Sequence, residues 1–168
     1  VKGFQSEQNG VGIVLKHLCA QGACVGGHNS GAASIGAREL REVFLPPVEA
    51  GVQSGAKGVM AAYNEIDGIP CHINKHLLRD ILRKEYGFTG IVMADGCALD
   101  RLTIMDSNVP KMAAKANQAG VDMSLWDNVY THLEEAIEKG YLSEETLDES
   151  VRRILTLKVE LGLFEERK

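Results

Sequence analysis

Four short apolar runs recur along the chain, and a segment with the character of a helix follows each of them. The runs occupy residues 11–17, 57–64, 90–95 and 121–126. Strands that alternate with helices at this spacing are typical of βαβ units, in which the strands form a parallel sheet. The sequence therefore predicts an α/β fold made of parallel β/α repeats.

The segments between and after these runs carry the signals of helices. Residues 74–87 repeat leucine and isoleucine on one helical face and end at Gly87, a residue type that favours the left-handed conformation of a helix C-terminus. Ser143 precedes two glutamates and indicates the start of the last helix. The predicted helical segments are residues 35–54, with a break at Pro46 and Pro47, and residues 74–87, 98–102, 110–120, 128–140 and 143–164.

The length of the chain, 168 residues, limits how these repeats can close. A closed (β/α)8 barrel has eight strands and typically about 250 residues, whereas only four repeats are predicted here. The chain is therefore either a small open α/β domain or the second half of such a barrel. Half a barrel would expose strand edges and apolar helix faces, so we expect self-association in that case.

The composition limits the kinds of partner that the chain can have. With 45% hydrophobic and 24% charged residues it has the make-up of an ordinary globular protein, and its net charge of −5 comes without a basic cluster. We therefore expect no nucleic-acid partner. No apolar run approaches the roughly 20 residues that a helix needs to cross a bilayer, so we expect no membrane partner either.

Neither the cysteines nor the histidines have the spacing of a metal site, and no cofactor is implied. The chain has four cysteines, Cys19, Cys24, Cys71 and Cys97. We expect them to be free thiols, mostly buried, and from them we expect a cytoplasmic location. A secretion signal upstream of Val1 would not be visible in this sequence. His72 and His76 flank the expected start of a helix, which predicts that both lie on the surface.

Polar side chains stand where three of the predicted strands end. Lys16 and His17 end the first strand, Tyr63 lies at the end of the second, and Asp95 ends the third. Because the carboxyl ends of parallel strands meet at one rim, where ligands bind in such folds, we expect these side chains to converge. Each residue alone also has a structural interpretation, such as a helix cap for Asp95 or core packing for His17 and Tyr63.

Asp95 follows the apolar run of residues 91–94, which lacks polar alternation and so suits a strand covered on both faces. We expect the conformational freedom of Gly96 to let the chain turn away, so that the carboxylate faces a cleft. A carboxylate at a rigid strand end is a candidate nucleophile. Lys16 leaves a second chemistry open, because a barrel lysine can form a Schiff base, as in an aldolase or lyase, when burial lowers its pKa.

Several longer stretches resemble a known family. The sequences "MAAYNEIDGIPCH", "AGVDMSL" and "VRRILTLKVELGLFE" are similar to the N-terminal barrel domain of glycoside hydrolase family 3, the β-glucosidase and β-xylosidase group. The resemblance extends over residues 11–165 and implies that residues 1–168 are one partial domain, the second half of a (β/α)8 barrel. It also implies that the first four strands lie before Val1. The general acid/base glutamate would lie in a second domain after Lys168.

The resemblance implies a retaining hydrolysis of terminal β-linked sugars, with a small oligosaccharide or β-glycoside as substrate and no cofactor. Asp95 matches the nucleophile of the family. Lys16 and His17 match its paired binders of sugar hydroxyls. Met60 and Tyr63 match residues that line the subsite of the departing group. A fragment that lacks the acid/base residue is expected to be inactive by itself.

The chemistry of these residue types fits that activity. Lys16 would help to keep Asp95 ionised by its opposite charge, and its ammonium and the His17 ring can both bind sugar hydroxyls. A tyrosine beside a carboxylate can donate a hydrogen bond to it, which gives Tyr63 a role in orienting Asp95.

Two positions depart from the family pattern. His28, in "GGHNS", stands where the family often has an arginine, and it is our further candidate for substrate binding. Gly96 stands where the family often has an aromatic residue, so one stacking surface is missing. Glu65 and Asp67 are the nearby carboxyl groups, but "IDG" is typical of a turn, and neither is expected to be the acid. A half-barrel that binds sugar or assembles without catalysis remains the other alternative.

Overall fold

The computed structural model describes residues 1–7 and 10–164, so that the last residue of the family resemblance, 165, lies outside the described part. Its strands form two sheets. In the described residues the strands are β1 (Val14–Leu18), β2 (Ala32–Ala33), β3 (Gly58–Ala61), β4 (Glu65–Ile66), β5 (Ile69–Pro70) and β6 (Ile91–Met93). The larger sheet is parallel with the order β1-β3-β6, which confirms the predicted α/β fold with consecutive parallel repeats.

The fourth predicted strand, residues 121–126, is present only as an extended segment beside β6. A single parallel bridge joins Met123 to Met93. The amides of Asp122 and Met123 both donate to the Val92 carbonyl, at 2.7 and 3.2 Å, so the segment does not build a regular ladder. It nevertheless extends the sheet in chain order, as a series of β/α repeats requires.

Apart from α1, which was not predicted, the α-helices agree with the predicted segments in position but are more broken. They are α1 (Lys2–Gln5), α2 (Gly36–Glu39), α3 (Pro46–Gln53), α4 (Val109–Ala119), α5 (Leu133–Glu138) and α6 (Glu144–Glu160). Two further segments, Leu40–Phe44 and His76–Glu85, are π-helical. Tight 3₁₀ turns cover Gln21–Ala23, Val25–Gly27, Cys71–Ile73, Asp100–Ile104 and Val129–His132.

The predicted helix signals lie where the structure needs them. Pro46 opens α3, which confirms the break expected inside residues 35–54. Gly87 has a φ of 69° and follows the segment His76–Glu85, as a C-terminal glycine should. The Ser143 hydroxyl accepts a hydrogen bond from the Thr146 amide at 3.3 Å and so caps α6.

Helices cover one face of the main sheet. Val59 and Val92, which pair in register on β3 and β6, are fully buried on this face. Leu15 pairs with Val59 and packs against α3, where a Cβ on Gly51 would lie 2.4 Å from the Leu15 Cδ1 atom, so a larger residue at position 51 would displace the Leu15 side chain. The core of the domain lies between the sheet and these helices.

The other face of the sheet is more open. Met60, Met93 and Met123 form a row across neighbouring strands and are each only partly buried. The run of residues 91–94, predicted to be covered on both faces, is therefore covered fully on one face and partly on the other. Among the described residues the strands do not close into a barrel, and β1 has β3 as its only sheet neighbour.

A small second sheet was not predicted. In it β2 pairs in parallel with β4, and β4 forms an antiparallel hairpin with β5. Asp67 and Gly68 make the hairpin turn with φ values of 48° and 87°, which confirms the turn expected from "IDG". The Asp67 carboxylate accepts hydrogen bonds from the amides of Ile35 and Gly36, both at 3.0 Å, and so anchors the start of α2.

A buried ionic cluster fastens the last helix to the sheet. The Asp122 side chain is 0% exposed and lies 2.6 Å from Arg83 Nη2. Its carboxylate also accepts hydrogen bonds from Arg153 Nε at 2.9 Å and from the Val92 amide at 2.8 Å. Burial lowers the pKa of Arg83 to about 10 although the neighbouring Asp122 raises it, so the guanidinium stays charged at neutral pH. In the described part of the chain, no helix is long and apolar enough to cross a membrane.

Candidate active site

Three of the predicted site residues meet at the carboxyl ends of the main strands. The His17 Nε2 atom, from β1, lies 3.2 Å from Asp95 Oδ2, two residues after β6. The Tyr63 hydroxyl, two residues after β3, donates a hydrogen bond to the Gly96 carbonyl. The predicted convergence of strand ends is therefore present for His17, Tyr63 and Asp95.

The Asp95 carboxylate is held from two sides and open on a third. Its Oδ1 atom accepts a hydrogen bond from the Gly96 amide at 2.8 Å, while Oδ2 faces His17. The Asp95 and His17 side chains are each 17% exposed, so both can be reached from solvent. A carboxylate with fixed orientation and remaining lone pairs can contact an electrophilic centre in a bound ligand.

His72 belongs to this site, and the prediction that it lies on the surface is wrong. Its side chain is turned inward by the tight turn Cys71–Ile73, and the residue is 2% exposed. The Asp95 amide donates a hydrogen bond to His72 Nε2 at 3.3 Å. Burial lowers the pKa of His72 to about 4, even though the nearby Asp95 raises it, so the ring is neutral and can accept this bond. His76 is exposed, as predicted.

The chain turns after Asp95, as expected, but the turn does not use a left-handed conformation at Gly96. Gly96 does not have a positive φ, and Cys97, the next residue, takes the left-handed conformation with a φ of 56°. What distinguishes Gly96 is its surroundings. A Cβ at this position would lie 3.6 Å from the Trp126 ring and 3.7 Å from the Tyr63 hydroxyl oxygen.

Tyr63 acts on the backbone beside Asp95. It was expected to donate to the carboxylate, but its hydroxyl donates to the Gly96 carbonyl instead. Burial raises the pKa of Tyr63, and the negative charge of Asp95 raises it further, so the phenol remains a donor at neutral pH. The Arg101 guanidinium lies 5.7 Å from the centre of the Tyr63 ring. Tyr63 and His72 also line a cavity of about 260 Å³.

Among the described residues, three other predicted site residues make no hydrogen bond or ion pair with the cluster around Asp95; they are Lys16, Met60 and His28. Lys16 is exposed and makes no ion pair with any carboxylate in residues 1–7 and 10–164, so its expected pairing with Asp95 is not seen. It lines a separate part of the rim, a cavity of about 400 Å³ that His17 also borders. Met60 lies in the methionine row. His28 is exposed in the loop before β2, and within the described residues its ring makes no hydrogen bond to another candidate.

The thiols and histidines of the described residues form no metal site. No group of three or more His, Cys, Asp or Glu side chains in that part of the chain is placed to hold an ion. The four cysteines are unpaired; Cys19, Cys24 and Cys71 are buried and Cys97 is exposed, as predicted. Burial raises the pKa of Cys19 and raises that of Cys71 to about 11, so neither is a thiolate at neutral pH.

A parallel β/α sheet with a reachable carboxylate at a strand end is the arrangement of a (β/α)-barrel enzyme. Comparison with known proteins identifies the family. The pattern of the "Glycosyl hydrolase family 3 N terminal domain" matches residues 1–157. The chain belongs to glycosyl hydrolase family 3.

The relatives agree with this assignment. A β-xylosidase of Formosa agariphila is 37% identical over 97% of this chain, which corresponds to 24% of the relative. A periplasmic β-glucosidase of Salmonella typhimurium is 35% identical over 90% of this chain and 20% of its own length. The crystal structure of a β-glucosidase from Listeria innocua in complex with isofagomine superimposes with a TM-score of 0.93 and 38% identity, covering 99% of this chain and 25% of that protein. The chain thus spans about a quarter of the length of these relatives.

Proposed function

We propose that Asp95 is the nucleophile of a retaining β-glycosidase formed by the complete protein that contains this chain. The observation that carries the proposal is the fixed but reachable carboxylate: Oδ1 is held by the Gly96 amide, Oδ2 faces His17, and the side chain is 17% exposed. Family membership supports the reaction class, because relatives of this chain include β-glucosidases and β-xylosidases.

The proposed reaction uses two carboxyl groups. Asp95 attacks the anomeric carbon, the bond to the leaving oxygen breaks, and an acid about 5 to 5.5 Å away protonates that oxygen. Water then cleaves the glycosyl ester and restores Asp95, with the same acid group now acting as a base. In the described residues Asp67 is occupied by two backbone amides and is not available for this role.

Because the chain spans about a quarter of the length of its relatives, we propose that the acid lies in a part of the complete protein outside residues 1–168. It follows that the 168-residue chain is inactive by itself. The proposed substrates are terminal β-glucosides or β-xylosides, the classes named for the relatives.

His17 is proposed to bind a sugar hydroxyl as well as to neighbour Asp95. Its Nε2 atom is at the edge of the carboxylate and exposed enough to reach a ligand. Lys16 and His28 are proposed as further hydroxyl binders from the family resemblance, and both present exposed polar groups. Met60 and Tyr63 are proposed to contact the departing group.

The Schiff-base alternative loses its physical basis in this structure. A Schiff-base lysine needs a desolvated environment, whereas Lys16 is exposed among the described residues. Borohydride reduction in the presence of a carbonyl substrate is therefore expected to leave Lys16 unmodified.

We further propose that the open side of the sheet is covered by another part of the complete protein or, in the isolated chain, by a second copy. Val14 of β1 is 38% exposed at the sheet edge, and open edges with apolar side chains favour association. Sedimentation of residues 1–168 tests this, and a stable monomer would contradict it. The cytoplasmic location stays a prediction from the free thiols.

The test of the nucleophile uses Asp95→Ala in the complete protein. We expect hydrolysis of aryl β-glucosides and β-xylosides to fall by roughly six orders of magnitude, the scale seen when a covalent hydrolase loses its nucleophile. Added azide is expected to restore part of the turnover and to give the glycosyl azide of inverted configuration, because it attacks from the side that Asp95 occupied.

The matched control is Asp106→Ala, which removes an aspartate that pairs with Lys111 at 2.9 Å. Its turnover is expected to equal that of the wild-type protein. Undiminished turnover of Asp95→Ala would remove Asp95 from the role of nucleophile.

A further inference from the structure

A solvent-exposed tryptophan borders the proposed site. Trp126 is the single tryptophan of the chain, and it is 82% exposed. Its ring lies over Gly96, the residue after Asp95: a Cβ on Gly96 would be 3.6 Å from the ring atom Cε3 and 3.7 Å from Cζ3. The largest side chain in the protein is thus exposed to solvent next to the residue that follows Asp95.

The loop that carries Trp126 is tied to the loop of Asp95. Asp127 is 5% exposed, and its carboxylate accepts hydrogen bonds from the amides of Leu125 at 3.0 Å and Leu99 at 2.6 Å. The Cys97 amide donates to the Leu125 carbonyl at 2.9 Å. These bonds fix the backbone on either side of Trp126, while its side chain remains exposed to solvent.

The backbone at Trp126 is held in an unfavourable conformation. Its φ is 67°, a left-handed value that costs a bulky residue of order 1 to 3 kcal/mol and persists only where the surroundings enforce it. Such conformations concentrate at functional sites. A tryptophan with only a packing role would bury its ring, which Trp126 does not do.

Gly96 and Trp126 fit each other as a pair. Because Gly96 does not have a positive φ, its backbone conformation does not demand glycine. A side chain longer than a methyl group at this position would enter the space next to the Trp126 ring. The absence of a side chain on Gly96 thus leaves the ring in place beside Asp95.

We propose that the Trp126 ring is a stacking surface for the leaving-side group of the substrate, either a second pyranose ring or an aryl group; this rests on the proposed function. A Cβ on Gly96 would lie 3.6 Å from the Trp126 ring and 3.7 Å from the Tyr63 hydroxyl oxygen, so the ring and Tyr63, which is proposed to contact the departing group, meet at the same residue. The C–H groups of a sugar ring carry partial positive charge and pack favourably on the negative face of an aromatic ring.

The test uses the complete protein and compares a disaccharide with the methyl glycoside of the same reacting sugar. For Trp126→Ala we expect kcat/KM to fall about tenfold for the disaccharide, the size of a lost aromatic contact, and to change less than about twofold for the methyl glycoside. Trp126→Phe keeps a stacking surface and is expected to retain most of the disaccharide activity. Phe4→Ala, which removes another exposed aromatic ring, serves as the control and should change neither.

Binding provides a readout that does not depend on turnover. In the Asp95→Ala background, calorimetric titration with cellobiose and xylobiose should give an affinity about tenfold weaker when Trp126→Ala is added. Unchanged affinity, or an equal loss of kcat/KM for the methyl glycoside and the disaccharide, would overturn the assignment. If the wild-type protein hydrolyses neither substrate, the proposed function fails, and the binding titration still decides the role of Trp126.

Discussion

Two aspartates contact the same strand and have opposite surroundings. Asp122 accepts a hydrogen bond from the Val92 amide in the middle of β6, and its side chain is 0% exposed between Arg83 and Arg153. Asp95 follows the same strand and is 17% exposed, with His17 as its only ion-pair partner in the described part of the chain.

The difference shows how its surroundings commit one aspartate to the structure and leave the other available for the proposed chemistry. The carboxylate of Asp122 is saturated by two guanidinium groups and an amide, so it has no capacity left for a ligand. The carboxylate of Asp95 keeps lone pairs that face solvent, while its orientation is set by the Gly96 amide. A reactive carboxylate needs both fixed geometry and an unused face.

The largest effect on stability is expected from Asp122→Ala. The change leaves Arg83 and Arg153 buried without their counter-charge, and we expect the free energy of unfolding to fall by about 3 to 5 kcal/mol. Asp95→Ala is expected to change it by less than about 1 kcal/mol, because a partly exposed side chain at a strand end contributes little to the core. Urea denaturation followed by circular dichroism measures both values.

This pair of variants can break the comparison directly. Equal losses of stability for Asp95→Ala and Asp122→Ala would show that the two carboxylates have the same structural role. Preserved stability in Asp122→Ala would show that the ionic cluster does not fasten α6 to the sheet.

The second prediction concerns the stability that the protein loses in acid because His72 is buried. Since burial lowers the pKa of His72 from 6.5 to about 4, the unfolded chain binds a proton more readily than the folded one between these values. Above pH 6.5 the neutral ring costs no stability. As the pH falls from 6.5 towards 4, the free energy of unfolding decreases by up to about 3 kcal/mol.

Unfolding measured from pH 7 to pH 4 checks this contribution by comparing the wild-type protein with His72→Gln. We expect the variant to show a weaker dependence on pH across that range. His76→Gln, at an exposed histidine, is the matched control and should follow the wild-type curve. A His72→Gln curve with the wild-type slope would contradict the buried neutral ring.

The smallest predicted effect is a difference in kcat between variants of Tyr63 and Tyr130, two tyrosines that each donate a hydrogen bond to a backbone carbonyl. Tyr63 donates to the Gly96 carbonyl, and Tyr130 donates to the Val121 carbonyl at 2.6 Å. We expect Tyr63→Phe and Tyr130→Phe each to cost about 1 kcal/mol of stability. Only Tyr63→Phe should also lower kcat, by up to about tenfold, because its partner adjoins Asp95; equal kcat values for the two variants would contradict a role in positioning.

The repeated apolar runs and helix signals were sufficient to predict the parallel sheet. Residues His17, Tyr63 and Asp95 could be identified because a strand end fixes where a side chain stands, whatever the details of packing. The π-helical segments could not be foreseen, since their sequences have the same apolar spacing as α-helices.

The parts of the site that sequence did not reveal depend on contacts between distant loops. His72 is placed under Asp95 by a three-residue turn, and Trp126 is placed over Gly96 by the bonds of Asp127. Neither a short turn nor a long-range hydrogen bond leaves a periodic signal. The two-residue strands of the second sheet were missed for the same reason.

The most direct test of the central claim is to trap the covalent intermediate on Asp95. Incubation of the complete protein with a 2-deoxy-2-fluoro β-glycoside slows hydrolysis of the glycosyl ester, so that the adduct can be located by peptide mass spectrometry. We expect the mass of the fluorosugar on the peptide that contains "MADGCALDR", at Asp95, and no adduct in Asp95→Ala. An adduct on any other peptide, or one that persists in Asp95→Ala, would contradict the account.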